Sequence, residues 1–349
     1  MKKARLKDIA EHVGVSVATV SYVLNNSNVP ISAATRARVL QAAEELHYTT
    51  NWNAKGLKVE HYNAVGVIVE DIRSFYVNEL IDGICQYAEE NGIRVLLCNL
   101  RADDKTHTLS HEDLDQFSEQ LTNLVYSTFG KQLDCLIYVA AFYRDVSRVF
   151  IPDGHRVSYA YSYCGSSDSL SVAYDDEQGA SLAVKHLIEM GHERIGFINC
   201  LENTEPGAAR TRGYYRVMEK AGMRVNPDWV QHTSMQHEVV YEAARRILNA
   251  PERPTAIFVS ADMVCSSVYR ACREAGLRIP EDVSMVGFDN SNFDDYMNPP
   301  LSSISFPSRK IGYTVMKCAC EEPERRGSIR LDCCLVQRGS VQDRREFHQ

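Results

Sequence analysis

The sequence predicts an α/β protein with a small N-terminal headpiece of three helices and a larger two-lobed body built on parallel sheets. Three observations support this fold class. Apolar residues recur with helical spacing within the first fifty residues. From residue 64, short apolar strands alternate with amphipathic helices, and this alternation starts again near residue 157. With 349 residues, the chain is also too long for one ordinary core.

The headpiece prediction depends on the spacing of apolar residues around one glycine. Gly14 interrupts the first helix, and Ser16 can cap the second by accepting a hydrogen bond from the amide of Thr19. A tight glycine turn between two short helices is typical of a helix-turn-helix. The expected inner faces are Leu6, Ile9, Ala10 and Val13, then Val20, Val23 and Leu24, then Val39, Ala42, Ala43 and Leu46.

In a helix-turn-helix, the second helix enters the major groove of double-stranded DNA with its N-terminal residues leading. Short polar side chains suit phosphate oxygens, and small apolar ones can contact a thymine methyl group. A generic three-helix bundle, in which the same serines and threonines are only caps, is the alternative. The candidate DNA-binding residues in this segment are Ser16, Val17, Ala18, Thr19, Ser21, Tyr22 and Asn25.

The distribution of charge also favours a nucleic-acid contact at the N-terminus. Residues 1–58 carry four more positive than negative charges, whereas the whole chain has a net charge of −8. A basic end on an acidic body fits a local contact with DNA, although four charges alone are weak evidence.

Composition and motifs exclude several other classes of protein. There is no run of about 18 apolar residues and no signal peptide, so we expect a cytoplasmic protein without membrane contact. Eleven irregularly spaced cysteines fit core positions better than a disulfide framework. Walker, Gly-x-Ser-x-Gly and His-Glu-x-x-His motifs are absent, so we expect no catalytic residues, no metal and no cofactor.

The body is predicted from strands that end in polar or aromatic residues. Helices are expected at 77–91, 178–190 and 263–275, each followed by glycine. Ligands bind outside the carboxyl ends of strands in open sheets of this type. The expected strands are 65–69, 94–98, 135–139, 157–161, 195–198, 256–259 and 284–288. The polar insertion 102–130 contains His107 and His111, for which a surface helix is favoured over a metal site.

Residues 5–25 closely resemble the headpiece of the LacI/GalR family of bacterial transcriptional regulators. The resemblance rests on the runs Asp-Ile-Ala, Gly-Val-Ser, Ala-Thr-Val-Ser and Val-Leu-Asn, and it continues through nearly the whole chain. Tyr22 departs from the arginine that is usual at its position, which replaces a charge by a phenol.

The resemblance implies a periplasmic-binding-protein-like body and a domain organisation. We expect a headpiece at 1–49, a hinge at 50–61 and an effector-binding and dimerisation body at 62–349. It further implies that Lys55 and Leu57 of the hinge contact DNA, with Leu57 wedged into the minor groove; a flexible linker is the alternative. Lobe one would contain about 62–160 and 291–322, and lobe two about 161–290 and 323–349.

A sugar-sized ligand needs carboxylate acceptors, a fork-shaped donor and an apolar platform. Residues near strand ends supply these groups, at positions that the resemblance assigns to the effector cleft. Core packing of the aromatic residues, capping by Asp262 and an ion pair of Arg210 are the structural alternatives. The candidate effector-binding residues are Phe75, Tyr76, Tyr161, Arg210, Asp262 and Asp289.

The predicted function is that of a homodimeric repressor of carbohydrate utilisation that binds a near-palindromic operator and responds to a small molecule. A sugar is the favoured effector, although the aromatic cleft would also suit a nucleobase. A solute-binding protein of the same body fold should lack the headpiece. An enzyme could use Asp262 and Asp289 as acid and base. Activation of transcription, and an effector that acts as corepressor, remain open.

Overall fold

The computed structural model describes residues 4–24, 29–46, 48, 62–74, 76–101, 123, 133–147, 156–165, 168–201 and 203–345. The chain divides into two compact units, Met1–Tyr62 and Asn63–Gln349. In the described part of the chain, no helix is both long enough and apolar enough to cross a membrane.

The first unit is the predicted three-helix headpiece. Its helices are α1 (Leu6–Val13), α2 (Val17–Leu24) and α3 (Ala33–Glu45). Gly14 ends α1 with φ 72°, a left-handed conformation that glycine adopts without steric cost. The predicted inner faces are confirmed, because the buried core consists of Ile9, Ala10, Val13, Val20, Val23, Val39 and Ala42.

The first sheet of the body has six parallel strands in the order β11-β5-β4-β3-β1-β2. The interior strand β1, between β3 and β2, is buried along its whole length, which explains its uninterrupted apolar sequence. The strands are β1 (Ala64–Val69), β2 (Arg94–Asn99), β3 (Cys135–Val139), β4 (Val157–Ala160), β5 (Leu170–Tyr174) and β11 (Gly327–Leu331).

The second sheet also has six strands, in the order β12-β10-β9-β8-β6-β7. Five of them are parallel, and β12 runs antiparallel to β10 at one edge. The strands are β6 (Ile195–Asn199), β7 (Val230–His232), β8 (Ala256–Val259), β9 (Ser284–Asp289), β10 (Ser302–Ser305) and β12 (Cys334–Val336).

Six helices of the body are described, and two of them approach each other closely through glycine. A Cβ atom on Gly83 would lie 1.9 Å from the carbonyl oxygen of Arg309, and one on Gly312 would lie 1.9 Å from that of Leu80. The helices are α4 (Val77–Glu90), α5 (Asp176–Glu189), α6 (Glu205–Lys220), α7 (His237–Leu248), α8 (Cys265–Glu274) and α9 (Ser308–Glu321).

The two sheets correct the expected lobe boundaries at 160, 290 and 322. Strands β5 and β11 belong to the first sheet, and β10 belongs to the second. The chain therefore crosses between the sheets after β5, after β10 and again between β11 and β12. Each crossing comes about ten to fifteen residues later than expected. The reason is that the chain first adds one more strand, β5, β10 or β11, to the sheet that it is about to leave.

Candidate functional site

The N-terminus of α2 is fixed by the predicted serine cap. The hydroxyl of Ser16 accepts a hydrogen bond from the Thr19 amide at 3.0 Å, and the two side-chain oxygens lie 2.8 Å apart. Thr19 is half-buried and Ser16 is exposed. The pair stabilises the first turn and leaves the residues between them free to face outward.

One exposed face of α2 combines the other candidate DNA-binding residues. Val17 is 44% exposed and Tyr22 is 43% exposed. Ala18 is exposed and Ser21 is half-buried on the same face. The structure thus groups these four residues as expected for a groove-contacting helix. The remaining candidates, Asn25, Lys55 and Leu57, lie outside the described residues.

The candidate effector residues come from both sheets and meet at the carboxyl ends of the strands. Tyr76 precedes α4 and Tyr161 follows β4, and their ring centroids are 5.4 Å apart. Asp289 ends β9; its Oδ1 lies 4.0 Å from Arg210 of α6, and its Oδ2 accepts from the Asp262 amide at 3.3 Å. Phe75 lies outside the described residues.

Stacked aromatic rings fill the centre of this cleft. Tyr174 stacks on Tyr161 with centroids 4.7 Å apart, and on its other side it stacks on Phe306 at 4.4 Å. The hydroxyl groups of Tyr161 and Tyr174 are 2.5 Å apart. Tyr161 is therefore engaged by its own chain. The sequence did not identify Tyr174 and Phe306. Tyr174 is the last residue of β5 and Phe306 comes directly after β10, and neither strand was predicted.

Arg210 is buried and bonded to protein groups from both sheets. Its guanidinium donates to Asp176 at 2.8 Å, to the Tyr174 hydroxyl at 3.0 Å and to the carbonyl oxygen of Ser260. It also lies 3.6 Å from the centroid of the Phe288 ring. Burial raises the pKa of the Asp176 carboxyl, and the positive charge of Arg210 opposes that rise. The structure thus places Arg210 in an ion pair, the structural alternative to a ligand contact.

Asp262 is fully buried, and like Arg210 it forms hydrogen bonds with other groups of the protein. Its carboxylate accepts from the Ser303 hydroxyl at 2.7 and 2.9 Å and from the Ser291 amide at 3.1 Å. It does not cap the following helical turn, for which Ala261 is the N-terminal flanking residue. Asp262 therefore connects β10 to the loop after β9.

A cavity of about 350 Å³ lies beside the aromatic stack, within the usual size range of small-molecule sites. Of the candidate residues, Tyr76 and Asp289 line it. The loop after β9 forms one wall and adopts left-handed backbone at Asp289 (φ 130°) and Asn290 (φ 55°). The lining residues are Tyr76, Asn78, Glu79, Met263, Asp289, Asn290, Ser291, Asn292, Phe293, Ser305, Phe306 and Ser308.

Polar bonds hold Asn290 in the wall of this cavity. The backbone N–H of Asn290 donates to the Ser303 hydroxyl at 3.0 Å, and the side-chain oxygen of Asn290 accepts from Arg338 at 2.9 Å. Burial raises the pKa of the Asp289 carboxyl, and Arg210 opposes the rise. The cavity thus offers a buried carboxyl group, fixed amides and three aromatic side chains to a ligand.

Comparisons with known proteins match both units of the chain. A family described as bacterial regulatory proteins, lacI family, matches residues 5–51. A periplasmic binding protein-like domain matches residues 184–341. These two matches fall on the helix-turn-helix unit and on the second half of the body.

Individual relatives cover almost the whole chain. The HTH-type transcriptional repressor PurR of Yersinia pestis is 30% identical over 350 residues, which cover 97% of each chain. The lac repressor dimer bound to operator and the anti-inducer ONPF has a TM-score of 0.79 and 23% identity, covering 98% of this chain and 100% of that one.

A second solved structure shares the fold with a lower score. The complex of the transcriptional regulator CelR with cellobiose has a TM-score of 0.59 and 24% identity, covering 97% of this chain and 100% of that one. With a PurR relative 30% identical along nearly its full length, the chain belongs to the LacI family of bacterial regulatory proteins: it is a DNA-binding transcriptional repressor with a ligand-binding body, and not an enzyme.

Proposed function

We propose that this repressor acts as a homodimer on a near-palindromic operator and is controlled by a hydroxyl-rich small molecule, a carbohydrate, bound in the cavity beside Tyr76 and Asp289. The cavity chemistry is the observation that carries the proposal. Twofold symmetry of a dimer would place two α2 helices on related half-sites. The operator would then control carbohydrate use.

The DNA-binding half of the proposal is supported by the exposed face of α2. Val17 and Ala18 present methyl groups that can contact thymine, while Tyr22 adds a hydroxyl donor. The capped first turn directs helix amide groups toward the same end, where phosphate oxygens bind. Affinity would come from phosphate contacts, so it should fall steeply as salt rises.

The effector half is supported by the residue types around the cavity. The carboxyl group of Asp289 and the amides of Asn78, Asn290 and Asn292 can bond several hydroxyl groups. Tyr76 and Phe306 supply apolar surface for a sugar ring. A nucleobase could stack on the same rings, but it has no hydroxyl groups for these polar side chains and therefore fits the lining less well.

The DNA-binding half is tested by selection from a random duplex pool with the purified full-length chain at two salt concentrations. We expect enrichment of a palindrome whose affinity falls as salt rises. Val17→Asp should abolish enrichment, because a carboxylate on this face repels phosphate. Enrichment that is equal for Val17→Asp and the original chain would contradict the assignment of α2.

The effector half is tested with the selected operator and a panel of sugars and nucleobases. We expect a sugar to change operator affinity and Asp289→Asn to weaken that response at least tenfold. Asp282→Asn is the matched control, because Asp282 lies just before the other end of β9 and pairs with Arg278. A nucleobase response, or an unchanged sugar response in Asp289→Asn, would contradict this assignment.

A further inference from the structure

A fully buried carboxyl group lies on the turn just after the cavity loop. Asp294 opens the short helical turn Asp294–Tyr296, and its side chain has no exposed surface. Within the described residues, no N–H or O–H group donates to either of its carboxyl oxygens. Arg338 lies 4.0 Å away. A buried carboxylate without donors is strongly unfavourable, so its neutral form is preferred.

The guanidinium of Arg338 is engaged elsewhere. It donates to Asp295 at 2.5 Å, to the carbonyl oxygen of Leu301 at 2.9 Å and to Asn290 at 2.9 Å. Its bonds therefore fix the ends of the loop between β9 and β10, and they leave Asp294 without a charge-assisted bond.

The neighbouring carboxyl group of Asp262 is also buried, which raises its pKa, but it has hydrogen-bond donors. Ser303 and the Ser291 amide donate to it, and the carbonyl oxygen of the same Ser291 accepts from the backbone amide of Asp294. Two buried carboxyl groups beside each other do not both ionise, so they hold one proton between them. The donors on Asp262 favour its charged form, which leaves the proton on Asp294.

The other groups that face Asp294 do not remove its preference for the protonated form. Burial raises the pKa of Asp294 to about 9, with Asp262 and Asp289 adding to the rise and Arg338 opposing it. Helix α8 contributes a thiol and a phenol, both neutral at pH 7. The titratable and charged groups that face Asp294 are Asp262, Asp289, Arg338, Cys265 and Tyr269, with Asp295 beside it on the same turn.

We propose that Asp262 and Asp294 share one proton at neutral pH and that this carboxyl pair positions the loop 289–293 in the wall of the cavity. Both are positioning residues. Asp262 holds Ser291 through its amide and β10 through Ser303, and the backbone amide of Asp294 donates to the Ser291 carbonyl, so the loop is fixed from beneath. Only the description of this wall as an effector site rests on the proposed function.

The shared proton has a definite consequence for the pH dependence of folding. The folded chain keeps this proton between the ordinary carboxyl pKa of 3.8 and about 9, whereas the unfolded chain releases it. Within that window, stability contributed by the proton falls as pH rises, by up to tenfold in the unfolding equilibrium constant per pH unit. Below pH 4 both states are protonated, and the dependence disappears.

The test compares thermal unfolding of the full chain and Asp294→Asn from pH 5 to 9. Asparagine keeps the shape and places a donor group beside Asp262 but carries no titrating proton. We expect the melting temperature of the variant to rise relative to the original chain as pH increases. Parallel curves over this range would show that Asp294 is ionised in the fold and would overturn the proposal.

Two further variants secure the interpretation. Asp294→Ala should remove the same pH-dependent component, so the test does not depend on how well asparagine is accommodated. Asp295→Asn, on the exposed neighbour, should retain the pH dependence of the original chain. If Asp295→Asn changed the pH dependence of the melting temperature as much as Asp294→Asn does, the effect would come from charge on the turn. That result would contradict a proton shared between Asp262 and Asp294.

The positioning role is tested by hydrogen exchange of residues 289–301 at pH 7. Asp294→Ala lacks a donor to Asp262 and should exchange at least threefold faster there than Asp294→Asn, while residues 256–259 are unchanged. Equal exchange of the two variants in the loop would overturn the positioning role. These experiments use neither DNA nor an effector, so they stand even if the proposed ligand class is wrong.

Discussion

The DNA-facing helix and the cleft of the body handle polar side chains in opposite ways. On α2, the candidate residues Val17, Ala18 and Tyr22 are exposed, Thr19 and Ser21 are half-buried, and the hydrophobic core that supports them lies on the other face. In the cleft, Arg210, Asp262 and Tyr161 are buried and bonded to other residues of the chain. At the rim of the cleft, Tyr76 and Asp289 line open space.

This contrast separates residues that are available to contact DNA from residues that stabilise the folded body. The exposed residues Val17, Ala18 and Tyr22 of α2 can change with little effect on the fold, because they do not belong to the headpiece core. The buried cleft residues contribute to the packing of the body whether or not a ligand is present. Substitutions on the exposed face of α2 should therefore alter DNA binding, and substitutions in the centre of the cleft should alter stability.

The largest expected effect is from Arg210→Met, which leaves Asp176 buried without its charged partner. Removing one member of a buried ion pair costs about 3–5 kcal/mol of unfolding free energy. Arg212→Met is the matched control on the same helix; its side chain is 62% exposed, and its loss should cost less than about 1 kcal/mol. Similar denaturant midpoints for the two variants would contradict the structural role of Arg210.

Gly287→Ala should have the next largest effect. A Cβ atom there would lie 1.9 Å from the Asp262 carboxylate, so the carboxyl pair would have to move. Overpacking of this kind costs about 1–3 kcal/mol. Gly339→Ala, whose Cβ would meet nothing closer than 3.4 Å, should leave stability nearly unchanged and serves as control.

A smaller effect is expected from Ser16→Ala, which removes the cap of α2. Loss of a serine cap costs about 1 kcal/mol. Hydrogen exchange in residues 17–24 of the full chain should accelerate about fivefold, with the body unaffected. Ser16→Asp keeps a cap acceptor and should retain protection, and faster exchange in that variant would argue against the capping explanation.

The smallest effect on folding is expected from Tyr22→Arg, which should lie within about 0.5 kcal/mol of the original stability. A guanidinium at this exposed position can add one phosphate contact. The slope of log affinity against log salt should then steepen by about 0.9. Tyr22→Phe removes only the hydroxyl and should keep the original slope; an unchanged slope for arginine would place Tyr22 away from the phosphates.

Much of the fold could be predicted from the sequence because local periodicity reports burial. Strands 135–139 and 256–259 have the predicted bounds, and both are fully buried apolar runs. Strand β10, Ser302–Ser305, escaped prediction because three of its four residues are serine. Two of these serines are buried and bonded to Arg338, Asn290 and Asp262, so their burial depends on tertiary partners.

The positions around the cleft could be predicted, but their partners could not. Strand ends and the family resemblance identified Tyr76 and Asp289, which line the cavity, and equally Arg210 and Asp262, which do not. Arg210 is bonded to Asp176 and Tyr174, which lie 34 and 36 residues before it in the chain. Such pairings leave no periodic signal in the sequence. Tyr174 was not identified as a partner because strand β5, which it ends, was not predicted.

The central claim is that ligand binding beside Asp289 controls operator binding by α2. The most direct test titrates the selected operator with the full-length chain, with and without each sugar, in parallel for the original chain and Asp289→Asn. The account predicts that one sugar shifts the operator affinity at least tenfold in the original chain and much less in the variant. Operator binding that no sugar changes, or a shift of equal size in both chains, would contradict it.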